Sequence, residues 1–400
     1  MSEFTENYKL RVKKLTKYML GLIEGVSRTE LLAQYNIQET TFMPHDVLYL
    51  FDEMYNRKIE VEKIKIASNR LFNILYEDLS GYEKYDYPDD SIIAYLIRDN
   101  EGVKKHLANT KELIKKINKD QSPGTISRLT RAFERLEQFE LHYTVKENIV
   151  FPEIEKKWDK YQCLKLMWTF HDDIRRNIKK TIEILKVAAF DLKLFNQFSG
   201  KVYFNVNTII FREENVLFPI MQETMDQEIF ERMASQLGEL GLAFTELRAE
   251  AMTKTQDRGV IMDSSQVVKF PTGELSLEQL ALVFNHLPVD ITFVDENDKV
   301  RYFSTPKDRI FPRTVGIIGR NVQDCHPHES VDVVTKIVAA FKTGEKDDAS
   351  FWLKMGAKYV LIQYFAVRDI DGNFKGVLEV SQEISDIQKI EGEHRLLDWE

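Results

Sequence analysis

Hydrophobic positions recur at helical spacing through the first part of the chain. In LRVKKLTKYMLGLIEG, Leu10, Leu15, Met19 and Leu22 fall at helical intervals, and HDVLYLFDEMYN and IEVEKIKIASNRLFNILYEDL continue the pattern. The stretch SGYEKYDYPDD is rich in turn formers and acidic residues and ends it. This pattern predicts a helical domain over residues 1–85.

Four longer helical segments follow, and they predict an antiparallel four-helix bundle over residues 90–250. They are the segment from Asp99 through VKKHLANTKELIKKI, then ISRLTRAFERLEQFELHYTVKENIVF, CLKLMWTFHDDIRRNIKKTIEILKVAAF and KVYFNVNTIIFREENVLF. Pro152 and Pro219 are expected to end the second and fourth helices, because proline cannot continue the hydrogen-bond ladder. DQEIFERMASQLGELGLAFTELRAEAM is expected to form one further helix that leads outward as a connector.

After residue 250 the pattern changes from helical to β-like. TKTQDRGVIMDSSQVVKF is polar and aperiodic, which indicates a linker over 251–274 with a short strand. DITFVDENDKVRYFS then predicts two strands, DVVTKIVAAFKTG a helix, and the following segment three more strands. We therefore expect an α+β domain over 275–390 and a tail over 391–400. The fold class is multidomain, α and then α+β, with an antiparallel sheet and flanking helices.

Composition narrows the functional classes. The 400 residues are 43% hydrophobic and 30% charged, and the net charge of −9 argues against a general nucleic-acid binder. No apolar run reaches about 18 residues, so no membrane span is expected. Two distant cysteines, Cys163 and Cys325, and an N-terminus unlike a signal peptide favour the cytoplasm. Phosphate-loop and nucleophile-elbow motifs are absent, so we expect no enzyme.

One short stretch occurs twice. KENIVFPEIE starts at Lys146 and EENVLFPIMQ at Glu213, 67 positions later. The alignment places Glu147 on Glu214 and both Phe-Pro pairs on each other, but Lys146 on Glu213. It also places His142 on Ile209 and His171 on Lys104. The bundle therefore consists of two similar helix pairs, and each carries one histidine that the other lacks.

Histidine and glutamate side chains that point inward build metal sites in such bundles. The candidate ligands are His142, His171, Glu147, Glu213 and Glu214. Protonated Lys146 cannot ligate, and neither can Ile209, so we expect the site to be partly erased. The competing interpretation is that these histidines hydrogen-bond carboxylates, while Glu147 or Glu213 pairs with Lys146 or Arg212. A metal bound by imidazole and carboxylate would be iron, zinc or manganese.

The chain resembles a known family at this point. HYTVKENIVFPEIEKKW, MWTFHDDIRRNIKK and IIFREENVLFPIM resemble the hemerythrin-like (HHE cation-binding) bundle. LPVDITFVDENDKVRYFS and FWLKMGAKYVLIQYFAVRDIDGNFKGVLEVSQEI resemble a PAS domain. The order resembles bacterial multidomain proteins in which a small helical domain of unknown function precedes the bundle.

The resemblance implies a non-heme di-iron centre that binds oxygen or related small molecules. On this basis His142 matches the second-helix histidine, His171 a third-helix histidine and Glu213 the fourth-helix carboxylate. Only these two histidines align, because the first helix reads NEGVKKHLANT and His106 is displaced.

Two functional hypotheses follow. The first is a cytoplasmic sensor or regulatory protein whose PAS domain senses a small molecule or redox state. It would act through a protein partner or as a homodimer, and its bundle would have a partly lost metal site. The second is a non-heme iron protein that responds to oxygen, nitric oxide or peroxide. The PAS ligand is not identified, and CHPHES, with Cys325, His326 and His328, favours a helix cap over a heme site.

Overall fold

The computed structural model describes residues 2–83, 85–247, 267–326 and 328–393. It divides into two compact units, Met1–Asp257 and Arg258–Glu400. The described part of the first unit is helical, and that of the second contains all the strands. The predicted fold class is confirmed. Over the described residues no helix has the length and apolar character that a membrane crossing requires.

The described part of the first unit consists of the N-terminal helices α1 to α4, the long segments of the bundle and short helices that follow them. Their bounds are α1 Ser2–Ile23, α2 Arg28–Gln34, α3 Pro44–Asn56, α4 Val61–Ser80, α5 Ile92–Ile117, α6 Pro123–Glu137, α7 Glu140–Val145, α8 Phe151–Lys157, α9 Cys163–Lys186, α10 Leu192–Arg212, α11 Phe218–Thr224, α12 Gln227–Ala234 and α13 Leu237–Leu240. Ser91, Ser122 and Asp191 cap α5, α6 and α10 by accepting a bond from a first-turn backbone N–H.

The predicted N-terminal domain and the bundle share one apolar core. Leu71 and Phe72 of α4 belong to the same buried cluster as Phe170 of α9 and Ile209 of α10. Phe72 also meets Phe211 edge to face, with ring centroids 6.2 Å apart. The apolar faces of the N-terminal helices are therefore buried against the bundle, and the boundary near residue 85 does not separate two cores.

The expectation that proline ends two helices is wrong. Lys146–Val150 and Glu213–Leu217 are π-helical turns, and each leads directly into a helix with proline in its first turn. In each wide turn the N–H of the phenylalanine donates to the carbonyl five residues earlier. A π turn displaces the carbonyl that proline would meet in an α-helix, so the helix continues through Pro152 and Pro219.

The predicted connector helix is also wrong. It is replaced by α12, α13 and an irregular segment over 241–247, which begins at Gly241 with φ 73°. This segment lies against α5, where Phe244 N donates to Asp99 Oδ1 at 2.7 Å. A Cβ on Gly102 would lie 2.5 Å from Phe244 Cβ, so glycine permits this approach. The remainder of the predicted helix lies outside the described residues.

The second unit begins with a hairpin of β1 Val267–Phe270 and β2 Gly273–Ser276, followed by α14 Leu277–His286. Its five-stranded antiparallel sheet has the order β4-β3-β7-β6-β5. The bounds are β3 Asp290–Asp295, β4 Val300–Phe303, α15 His328–Thr343, β5 Asp348–Met355, β6 Lys358–Arg368 and β7 Phe374–Glu383. Glycine at 376 permits close pairing of β7 with β3, because a Cβ there would lie 2.1 Å from Val294 O.

Candidate functional site

The candidate ligands lie where five helical elements meet inside the bundle. Asp99 and Asn100 come from α5, His142 from α7, Lys146 and Glu147 from the first π turn, His171 from α9 and Glu213 from the second π turn. All seven side chains are buried. Buried charges are expensive unless they are paired and hydrogen-bonded, so the pairing of these groups decides their chemistry.

His142 lies between two carboxylates. Its Nδ1 is 3.1 Å from Asp99 Oδ2, and its Nε2 is 3.2 Å from Glu213 Oε2. Each ring nitrogen of His142 therefore has a buried carboxylate oxygen within hydrogen-bond distance. Its face stacks on Phe139 with centroids 4.6 Å apart.

Lys146 forms a buried ion pair with Glu213, in which its Nζ donates to Oε1, and neither side chain has any exposed surface. These are the two positions that the 67-residue repeat places on each other. Asn100 Nδ2 also donates to Glu213, at 3.1 Å. Burial raises the pKa of Glu213, but the charges of Lys146 and His142 outweigh burial and hold it far below its ordinary range.

Glu147 forms a second buried cluster with His171 and Arg175. It accepts from His171 Nδ1 at 2.7 Å, and from Arg175 Nη1 and Nη2 at 3.0 and 2.8 Å. Burial, followed by the charges of Lys146 and Arg175, lowers the pKa of His171 well below its ordinary value, so its ring is neutral. Among the described residues, His171 Nε2 has no hydrogen-bond partner.

Glu214 lies apart from these two clusters. It accepts two bonds of 2.8 Å from Lys104, and both side chains are partly exposed, at 25% and 41%. The structure therefore brings together four of the five candidate ligands, as His142 with Glu213 and His171 with Glu147. The fifth forms a solvated ion pair.

This donor set does not fit a resident metal ion. The three buried carboxylates already bond side chains of the bundle, since Asp99 bonds His142, Glu147 bonds Arg175 and Glu213 bonds Lys146. Both nitrogens of His142 are engaged, so only His171, held by Glu147 through Nδ1, resembles an oriented metal ligand. Nowhere in the described ranges do three or more His, Cys, Asp or Glu side chains form a group suited to a metal ion.

The sequence reasoning overlooked Asp99, Asn100 and Arg175 as members of the site. Asp99 was visible as a polar residue on the apolar stripe of α5, four positions after Tyr95 and four before Val103. Arg175 follows His171 by four positions and so lies on the same helical face. Arg212, weighed as a carboxylate partner, instead donates to Ser68 Oγ and Asn69 Oδ1.

A second polar cluster covers the inner face of the sheet in the other unit. Thr292, Glu379 and Tyr364 form a direct cross-strand row over β3, β7 and β6. In the adjacent row Ser381 lies opposite Asp290. All five residues are buried, although this face of a sheet normally packs apolar side chains.

Charged side chains from the loop after β4 complete this cluster. Arg313 Nη2 donates to Glu379 Oε1 at 3.2 Å, while Asp290 Oδ2 accepts from Ile310 N and Phe311 N. Burial lowers the pKa of Arg309 to about 10. Within the described segments, Ser381 Oγ, Asp290 Oδ1 and Arg309 Nη2 are buried without a partner. Such atoms are concentrated where water or a ligand binds.

The Cys-His pair near this sheet forms local bonds. Cys325 Sγ donates to Asn321 O at 3.4 Å, and His326 Nδ1 donates to Val322 O at 2.7 Å. These bonds are local to the 3-10 turn Val322–Cys325, which precedes α15. The side chain of His328 lies outside the described residues.

A helical bundle and a separate module with helices beside an antiparallel sheet define a multidomain protein of sensor or regulatory architecture. Residues 91–203 match the family model described as hemerythrin HHE cation binding domain, and residues 280–385 match the model of a PAS domain. The chain thus carries a hemerythrin-type domain followed by a PAS domain, which confirms the resemblance.

Solved structures similar to this chain each cover between 26% and 32% of it. The C-terminal domain of a protein from Streptococcus mutans is 37% identical, with 32% of this chain and 98% of that chain covered and a TM-score of 0.31. A sensory box sensor histidine kinase from Vibrio cholerae is 13% identical. The match covers 26% of this chain and 87% of that chain, with a TM-score of 0.21. A PAS domain from Colwellia psychrerythraea is 14% identical. The match covers 28% of this chain and 98% of that chain, with a TM-score of 0.23. No curated protein matches the chain.

Proposed function

We propose that this protein is a cytoplasmic regulator whose PAS domain binds a small polar molecule, coupled to a hemerythrin-type bundle with a partly lost metal site. The observation that carries the proposal is the buried polar face of the PAS sheet. Buried polar groups normally bond another protein group or a bound molecule. Here Ser381, Asp290 and Arg309 keep buried polar atoms without partners in the described part of the chain.

The response leaves through protein contact, not through catalysis. The polar residues of the bundle are neutralised in pairs, which supports a structural or regulatory role. Several large apolar side chains of β5, including Trp352 at 62%, are exposed and support contact with a partner or a second copy. Cys163 and Cys325 form no disulfide with each other, which is consistent with the reducing cytoplasm.

Native mass spectrometry of the full-length protein tests the ligand. Ser381→Val places an apolar side chain on the inner face of β7, and Gln382→Val makes a comparable change at the next position, which faces the opposite side of the sheet. We expect a small ligand mass on the wild type and on Gln382→Val, and its loss from Ser381→Val. Absence of any ligand mass from the wild type, or its retention by Ser381→Val, would contradict the proposal.

Metal analysis tests the bundle separately. We expect the wild type to be colourless and free of stoichiometric iron after reconstitution. Iron that is lost on the joint substitution of His142 and His171 by alanine would establish the alternative, a non-heme iron protein.

A further inference from the structure

The two halves of the bundle bring equivalent positions of the repeat into direct contact. Lys146 and Glu213 are 67 residues apart, which is the spacing of the repeat, and they bond each other in the interior. A glutamate at both positions would place two carboxylates together without solvent. Like charges in such a position repel strongly unless a cation lies between them.

We propose that the Lys146 ammonium, assisted by the Arg175 guanidinium, holds the bundle carboxylates in place of a metal ion. This rests on the proposed loss of the metal site and identifies what replaces the metal. The lysine is attached to the chain, so its amine lies beside Glu213 in every folded molecule. Arg175 neutralises Glu147 through two bonds in the same way.

The surroundings of the lysine agree with this role. Its Nζ lies 4.9 Å from the ring centroid of Tyr143, so an aromatic face supplements the carboxylate. Asn100 and His142 donate to the other oxygen of Glu213, at 3.1 and 3.2 Å. The carboxylate is therefore saturated by groups of the chain.

A double-mutant cycle on the full-length protein measures whether the pair acts as a unit. Lys146→Met and Glu213→Gln are each expected to lower the thermal midpoint by roughly 10 °C. The double variant should be more stable than the sum of the two losses predicts, because neither partner is left charged alone. Lys104→Met and Glu214→Gln form the matched control at the partly exposed pair, where the coupling should be close to zero.

Metal titration supplies the second measurement. We expect iron(II), manganese(II), zinc(II) and EDTA to leave the midpoint of the wild type and of Lys146→Met unchanged. Lys146→Glu removes the ammonium and adds a carboxylate beside Glu213, so its midpoint should rise with at least one of these metals. A folded Lys146→Glu protein that responds to none of them would contradict the proposal.

These outcomes distinguish the replacement of the metal by Lys146 from the proposed loss of the metal site. Stoichiometric metal on the wild type that is lost in Glu213→Gln would overturn both the loss of the site and its replacement. A metal-free wild type with no coupling between Lys146 and Glu213 would overturn the replacement alone.

Discussion

The two copies of the repeated turn have the same backbone and different charges. Lys146–Val150 and Glu213–Leu217 are both five-residue π turns, and each continues into a seven-residue helix with proline at its second position. Their first residues, however, are a lysine and a glutamate that bond each other. The repeat preserves the geometry that brings the halves together, while the residues at its centre became complementary.

The second positions of the turns differ in burial, not in type. Glu147 is 5% exposed and bonds His171 and Arg175, whereas Glu214 pairs with Lys104 at the bundle periphery. Glu147 and Glu214 hold equivalent positions in the repeat, but we do not expect them to contribute equally to the free energy of unfolding. The interior pair has to be matched closely, and the outer pair is screened by water.

The largest effect should follow from making the two halves alike. Glu213→Lys would place two ammonium groups in the buried centre and is expected to cost about 3–5 kcal/mol or more, measured by denaturant unfolding. The charge-swapped variant Lys146→Glu with Glu213→Lys should recover part of this loss. Recovery will be incomplete, because a lysine at 213 faces His142. If the swap recovers nothing, complementarity across the repeat is not what holds these positions.

A matched pair of substitutions tests whether the difference in burial produces a difference in stability. Glu147→Gln removes the charge that pairs with Arg175 in the interior and should cost about 2–3 kcal/mol. Glu214→Gln at the equivalent position should cost less than about 1 kcal/mol. Denaturant unfolding of both variants in one buffer gives the comparison, and equal losses would show that the halves do not differ as described.

The smallest effect concerns the helices that follow the turns. Glu153 of α8 falls on Ile220 of α11, and only Glu153 bonds α12, through Arg232 Nη2 at 2.5 Å. Burial raises the pKa of Glu153, but Arg232 and Lys156 outweigh it and hold the pKa below 4.5. The stability from this pair is therefore present above pH 4.5 and declines as the pH falls through the lower folded pKa.

Arg232→Gln should thus cost about 1 kcal/mol or less at pH 7, and the deficit should narrow below pH 4.5. Thermal midpoints of the wild type and the variant between pH 7 and pH 3.5 measure this. The control Ile220→Val in the other half should show a difference from the wild type that does not change with pH. A deficit for Arg232→Gln that stays constant across the range would exclude the ion pair as its cause.

Helical periodicity and residue type predicted much of the fold, but not the way in which its helices continue or stop. A Phe-Pro pair indicates a stop only if the preceding turn is α-helical, and a π turn has no separate signature in hydrophobic spacing. The prediction of an outward connector helix is wrong for a different reason. Its composition favours a helix, yet Gly241 adopts φ 73° and the chain turns back to bond Asp99.

The sequence predicted part of the membership of the candidate site and none of its pairing. His142, His171, Glu147 and Glu213 were identified from their types and spacing, and all four are buried. Which cation meets which carboxylate depends on the axial register of four helices, to which a single sequence gives no direct access. The polar face of the PAS sheet could not be predicted for a related reason. Its polar residues become neighbours only through the register of β3, β7 and β6.

The occupancy of a site by a cation that belongs to the polypeptide does not depend on the concentration of any free ion. A bound metal stabilises a protein by RT ln(1 + [M]/Kd), so a metal-dependent bundle loses stability when the free metal concentration falls. Lys146 contributes equally at every metal concentration. If the ammonium replaces the metal, the rigidity of this bundle is the same in iron-starved and iron-replete cells, and the regulator can report on another signal without also reporting on iron supply.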